Sequence, residues 1–186
     1  MGTLRRAVIL IAIQLLLVAS AYATAATGSS TNEYQIKAAY LYKFAAYVEW
    51  PPSAFEQTNS PIVIGILGAD EVATELGNLN AGQRINDREV EVRRLKVGDS
   101  LTGIQMLFVG QKESGHLKSL LEPVQAQPVL VVTESANALD AGSVINFLFL
   151  DERIRFEISV IHAERSGLKI SARLLGVAQK IETGRP

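Results

Sequence analysis

Three short, continuous apolar runs do most to limit what this chain can fold into. They are Ile62–Leu67, Met106–Val109 and Val129–Val132. None shows the polar alternation of a half-exposed strand, so each reads as a strand buried on both faces. Pro61 opens the first, Gly68 closes it, and Pro128 opens the third. Stretches with helical spacing lie between them, from Asp70 to Leu76 and from about Glu113 to Leu121. Strand, helix, strand in repetition predicts an α/β domain whose mixed, mostly parallel sheet carries helices packed on it. Asn78–Asp87, rich in glycine and asparagine, is expected as loop. Glu89–Leu95 is expected as a half-exposed strand with Val90 and Val92 inward.

The C-terminal third has a different pattern. Val144–Leu150 is nearly all apolar, Asp151-Glu152 is a tight polar break, and Arg153–Ser159 alternates. Ile154, Phe156 and Ile158 fall on one face, with Arg153, Arg155 and Glu157 on the other. That is a β-hairpin whose second strand has one wet face. After the break at Gly167, Ser171 is placed to cap a final helix whose apolar face is Leu174, Leu175, Ala178 and Ile181.

Ahead of the first run, a helix is expected from Glu33 to Glu49, with Asn32 as its N-cap and Gln35 in the capping-box position. Ile36, Tyr40 and Phe44 form one stripe, flanked by Leu41, Ala45 and Val48. Pro51-Pro52 ends it. This helix and its end carry Tyr34, Tyr40, Tyr42, Tyr47 and Trp50, the only tyrosines and tryptophan after Tyr22.

The first 25 residues read as a secretory signal. Arg5 and Arg6 precede an apolar run from Ala7 to Ala19, followed by Ala21-Tyr22-Ala23 or Ala23-Thr24-Ala25 as cleavage site. The apolar core is shorter than the roughly 20 residues of a spanning helix. One domain over residues 33–182 is then expected, located outside the cytoplasm. There is no cysteine in the chain. Packing alone must hold it together, and thiol catalysis and cysteine-ligated metals are excluded. With the signal's two arginines removed, 16 basic residues face 19 acidic ones, a net charge of −3. A nucleic-acid polymer is not a partner for such a surface.

Candidate chemistry is sparse, and neither an enzyme nor a cofactor is expected. His116 and His162 have no acid or histidine at metal-ligand spacing. Ser114-Gly115-His116 lacks the strand-to-helix elbow of a serine nucleophile. Asp70-Glu71 and Asp151-Glu152 sit where acids serve helix starts and turns. Gly65 and Gly68 do not complete a dinucleotide or phosphate-loop motif. What remains is a basic set around the hairpin and last helix: Arg153, Arg155, Arg165, Lys169 and Arg173. Arg155 and Arg173 are the candidates for an anionic small ligand such as a nucleotide or amino acid, since guanidinium forks suit carboxylate and phosphate.

Tyr40-Leu41-Tyr42-Lys43-Phe44-Ala45-Ala46-Tyr47-Val48-Glu49-Trp50-Pro51 resembles the opening signature of the YfiR-like family of exported bacterial proteins. Ile62–Gly68, Met106–Val109, Pro128–Val132 and Ala141–Phe147 resemble its middle blocks in order. Arg155–Ser159 and Gly167–Leu175 resemble its closing signature. The resemblance implies a periplasmic regulator that forms dimers. It would bind the sensor region of an inner-membrane diguanylate cyclase, hold the cyclase inactive and so lower cyclic-di-GMP and biofilm formation. Some members of the family bind small ligands. On that reading Phe149, Ile161 and Leu168 are the expected apolar contacts to the partner. The chain departs from the family's best-known member in one respect. Gln105 stands just before the second buried run where that member has a cysteine, so disulfide control cannot operate here.

Overall fold

The computed structural model describes residues 32–184, so the expected signal peptide lies outside the described residues. In chain order the elements are α1 (32–47), β1 (Val48–Glu49), β2 (Ile62–Leu67), α2 (Asp70–Asn80), β3 (Arg84–Ile85), β4 (Arg88–Leu95) and β5 (Met106–Val109). There follow α3 (Leu117–Leu121), β6 (Leu130–Thr133), β7 (Ile145–Leu150), β8 (Arg153–Ser159), α4 (Val160–Arg165), β9 (Lys169–Ile170), α5 (Ala172–Leu175) and β10 (Lys180–Glu182).

The three apolar runs are the centre of an eight-stranded sheet ordered β10-β8-β7-β6-β5-β2-β4-β3. The pairs from β4 to β7 in this order are parallel, β3 lies antiparallel on β4, β8 turns back antiparallel on β7, and β10 runs parallel to β8. Both faces are covered, which is why these strands read as unbroken apolar runs. Ile62, Ile64, Ile66, Met106, Phe108, Leu130 and Val132 share one core with the inner faces of α1 and α2. Val63, Leu67, Leu107, Val109 and Val131 share the other with Leu117 and Leu121 of α3. The chain is therefore α/β with a mostly parallel sheet in one domain.

Several local expectations are corrected. α1 stops at residue 47, because Val48 and Glu49 pair with Ile170 and Lys169 of β9. Its buried stripe is Ala38, Leu41, Phe44, Ala45 and, just beyond, Val48, whereas Ile36 is 38% exposed. The expected loop at 78–87 contains the end of α2 and strand β3, joined to β4 through Asn86-Asp87. The expected helix from Glu113 begins as a 3-10 turn over Gln111–His116 and becomes α3 only at Leu117. Ser171 does cap a helix, its side chain accepting the Leu174 amide, but α5 ends within one turn. Ile181 then lies on an edge strand instead of a helix face.

One backbone approach shapes the sheet's carboxyl edge. Gly68 has φ +71°, a conformation glycine adopts without strain. A side chain at Gly110 would meet the Gly68 carbonyl oxygen at 2.6 Å. The turns leaving β2 and β5 can pass this closely only with glycine at both places.

Candidate functional site

β2 is the strand at which the chain order reverses: α2 leads out to β4 on one side, and β5 follows on the other. In open α/β sheets a crevice forms at the carboxyl ends of the strands beside such a point. Here it is a cavity of about 320 Å3, walled by Gly68, Ala69 and Val72 of the β2–α2 turn, Gln111 after β5, Glu134 after β6 and Phe147–Phe149 of β7. Tyr34 and Lys37 of α1 close it.

Lys37 is the charged centre of this cavity. It is 8% exposed. Its ammonium donates to Glu33 one turn earlier on α1 and to Glu134 across the cavity. Glu134 in turn accepts the Gln111 amide N–H at 2.8 Å. Burial alone would lower the Lys37 pKa, but the hydrogen bonds to Glu134 and Glu33 outweigh it and hold the ammonium above its ordinary value. The two partners satisfy the charge and join α1 to the ends of β5 and β6. The Glu33–Lys37 half was visible in the sequence as an i,i+4 pair. The Glu134 half was not, because it spans 97 positions.

A second concavity adjoins the first. It is a groove of about 630 Å3 between the start of α1 and the tip of the β7–β8 hairpin, lined by Ile36, Tyr40, Phe149, Glu152, Arg153, Ile154 and Arg155, among others. Phe149, Ile154 and Glu33 border both spaces. The hairpin has a two-residue turn, with Leu150 opposite Arg153 and left-handed φ at Asp151 (48°) and Glu152 (58°). Such a turn holds the strand ends tightly and projects the side chains beside it. Phe149 is 67% exposed, Leu150 42%, and Ile36 lies across the groove. Large apolar residues gathered at one exposed place mark interaction surfaces more often than isolated ones do. Beneath them Tyr40, Phe44, Phe147 and Phe156 form an aromatic stack with centroid separations of 5.0–5.9 Å. That stack is a rigid floor for the hairpin.

The sequence-derived candidates do not converge. Phe149 and Arg155 both line the groove; Arg173, exposed on α5, does not. Ile161 is half-buried on α4. Leu168 is 2% exposed and packs in the core with α1 and the hairpin, so it is removed as a surface contact. It follows the turn at Gly167, where polar neighbours disguise a position that the fold turns inward. Ile36, read as core, is instead part of the groove.

Among the described residues no group of histidines and acids is placed to hold a metal ion. His116 is exposed and meets Glu113 only at 3.9 Å. The buried polar residues Thr133, Ser143 and Asn146 form one network, with Thr133 Oγ1 donating to Asn146 Oδ1 at 2.9 Å and lying 2.9 Å from the Ser143 hydroxyl. Their work is to join β6 to β7. Among the described residues no helix is long and apolar enough to cross a membrane.

Fold and site thus define a one-domain α/β protein that presents a charged cavity and an apolar hairpin tip on the same edge of its sheet. The chain belongs to the YfiR/HmsC-like family, whose sequence profile (DUF4154) matches residues 34–179. Members of that family are periplasmic, non-catalytic regulators of membrane diguanylate cyclases. No curated protein matches the chain significantly.

Proposed function

We propose that this protein is exported to the periplasm and represses an inner-membrane diguanylate cyclase by binding its sensor region, which lowers cyclic-di-GMP and biofilm formation. The observation that carries the reading is the exposed Phe149–Leu150 tip beside Ile36, in a chain of this family. A tip on a two-residue turn over an aromatic floor is pre-organised, so little entropy is lost when it docks. Phe149 is the anchor, and the neighbouring Arg153 and Arg155 set polarity at the rim. Ile161 is a secondary contact.

Deleting the gene should raise cellular cyclic-di-GMP, and the wild-type copy should lower it again. A Phe149→Ser copy should be exported, fold normally and fail to complement. Full complementation by that variant would remove the hairpin from the interface. Unchanged cyclic-di-GMP in the deletion strain would overturn the whole reading. Intact mass of the exported protein should place its first residue at Thr24 or Ala26.

A second reading is a module for an anionic small molecule, supported by Arg153 and Arg155 lining one groove. Calorimetry with nucleotides and amino acids tests it. Arg155→Ala should abolish binding, and equal binding by Arg173→Ala would place Arg173 outside the site.

A further inference from the structure

The hairpin extends past the strand beside it. β6 pairs with β7 only at Val132–Ile145 and Thr133–Asn146, and it ends at Thr133. β7 continues through Phe147–Leu150, paired there with β8 alone. Among the described residues no other strand lies beside this stretch. In an antiparallel pair closed by a two-residue turn, Leu150 and Arg153 exchange backbone hydrogen bonds, and so do Leu148 and Arg155. Phe149 lies between them and directs its own N–H and C=O to the opposite side, where β6 has stopped. Such a flank is a template for one more strand. The cavity of about 320 Å3 lies along it, with Phe147, Leu148 and Phe149 on one wall and Gln111, Lys112 and Glu134 on another. We propose that this flank receives an extended segment of the partner cyclase's sensor region, added as a strand beside β7 and carrying a lysine or arginine into the cavity.

The proposal rests on the cyclase reading and adds how that partner is held. The open backbone groups call for an extended chain, because only a strand can satisfy them in register. Charge calls for the basic residue. Three carboxylates line the cavity, those of Glu33, Glu71 and Glu134, against the two ammonium groups of Lys37 and Lys112. Lys112 lies 4.0 Å from Glu71, and Lys37 is shared between Glu33 and Glu134. One negative charge is therefore in excess. Glu33 is the accessible carboxylate of the Lys37 cluster, with 39% of its side chain exposed against 13% for Glu134. Arg153 and Arg155 line the adjoining groove and not this cavity. Residues abreast on neighbouring strands turn their side chains to the same face. Phe147 packs with α1, and Phe149, two residues on, takes the same face. A basic residue abreast of Phe149 is thus directed toward α1, where Glu33 borders the cavity. In this mode main-chain bonds supply affinity, while the exposed Phe149 and the charged cavity select the sequence. The open flank is about 13 Å long, so the segment it takes is short.

Calorimetry with the exported protein and the purified sensor region of the cyclase, followed by short peptides tiling that region, tests the proposal. A peptide bearing a lysine or arginine should bind, and replacing that residue by alanine in the sensor region should weaken the complex about tenfold. Glu33→Gln should weaken it by about the same factor. Phe149→Pro removes an N–H that β8 does not use, at a place where an edge strand accepts proline. It should keep the wild-type circular dichroism and bind about fivefold more weakly than Phe149→Ala. Amide hydrogen exchange at Phe149, followed by NMR, needs no variant. It should be fast in the free protein and about tenfold slower in the complex. Equal loss in Phe149→Pro and Phe149→Ala, with Phe149 exchange unchanged on binding, overturns strand addition and leaves the cyclase reading standing. Full binding by Glu33→Gln overturns the basic occupant. Slow Phe149 exchange in the free protein overturns the proposal too, since another segment of this chain or a second copy then fills the flank. A sensor region that does not bind the wild-type protein at all overturns the cyclase reading, and the proposal with it.

Discussion

Lys37 and Gln105 show how single side chains hold distant parts of this fold together. Lys37 joins α1 to the end of β6 through Glu134, and removing it strands a carboxylate that is only 13% exposed. Lys37→Met should destabilise the protein by roughly 1–3 kcal/mol at neutral pH, a figure reduced for the partly exposed Glu33. The lysine's pKa is raised in the folded state. Its contribution is therefore complete below the unfolded value of about 10.4 and is lost as pH rises through the higher folded value. Wild type and Lys37→Met should differ in urea midpoint at neutral pH and converge only in strongly alkaline solution. Gln105 is 4% exposed. Its side chain accepts the Val63 amide and donates to the Ala54 carbonyl, while its own carbonyl accepts the Trp50 indole N–H. It ties the segment after α1 to the starts of β2 and β5 without a covalent bond. Gln105→Ala leaves a buried amide unpaired and should cost roughly 2 kcal/mol, measured by urea unfolding. Faster hydrogen exchange at Val63 would locate the loss. In the sequence Gln105 was notable only as a cysteine replaced, since its partners lie 42 and 51 positions away.

At the scale of elements, period and punctuation decided which readings held. The hairpin was legible because strict alternation along Arg153–Ser159 meets a two-residue break. That break uses Asp151 and Glu152 in left-handed conformations, which glycine tolerates better than glutamate. Glu152→Gly should therefore raise stability by about 0.5–1 kcal/mol, or about 2 °C in Tm, by differential scanning calorimetry. A lowered midpoint would show that the Glu152 side chain contributes more than its backbone strain removes. β3 was missed because Arg84 and Ile85 are too few to display a period. They are a strand only because Glu89 and Arg88 lie opposite. β10 was read as helix for a related reason. Leu174, Leu175, Ala178 and Ile181 keep helical spacing, yet Gly176 ends α5 and Lys180–Glu182 find an open sheet edge at β8. A vacant edge captures a short segment whatever its intrinsic preference.

At the scale of the whole molecule, the two apolar cores lie on opposite faces of the same strands, so they should unfold together. Leu41→Ala in one core and Leu121→Ala in the other should each destabilise by about 2–5 kcal/mol. In both variants Trp50 fluorescence and far-UV circular dichroism should report one coincident transition in urea. Separate transitions would mean that the sheet does not couple its faces. The α/β class, the parallel centre and the terminal hairpin followed from residue order, because burial on two faces and strict alternation leave local signatures. Which strand is central, which edge stays open, that Leu168 is buried while Ile36 is not, and that Lys37 meets Glu134 came from the packed fold. Those relations depend on pairs far apart in the chain, and no local period records them. The paired cavity and hairpin tip at the sheet's carboxyl edge are of this second kind.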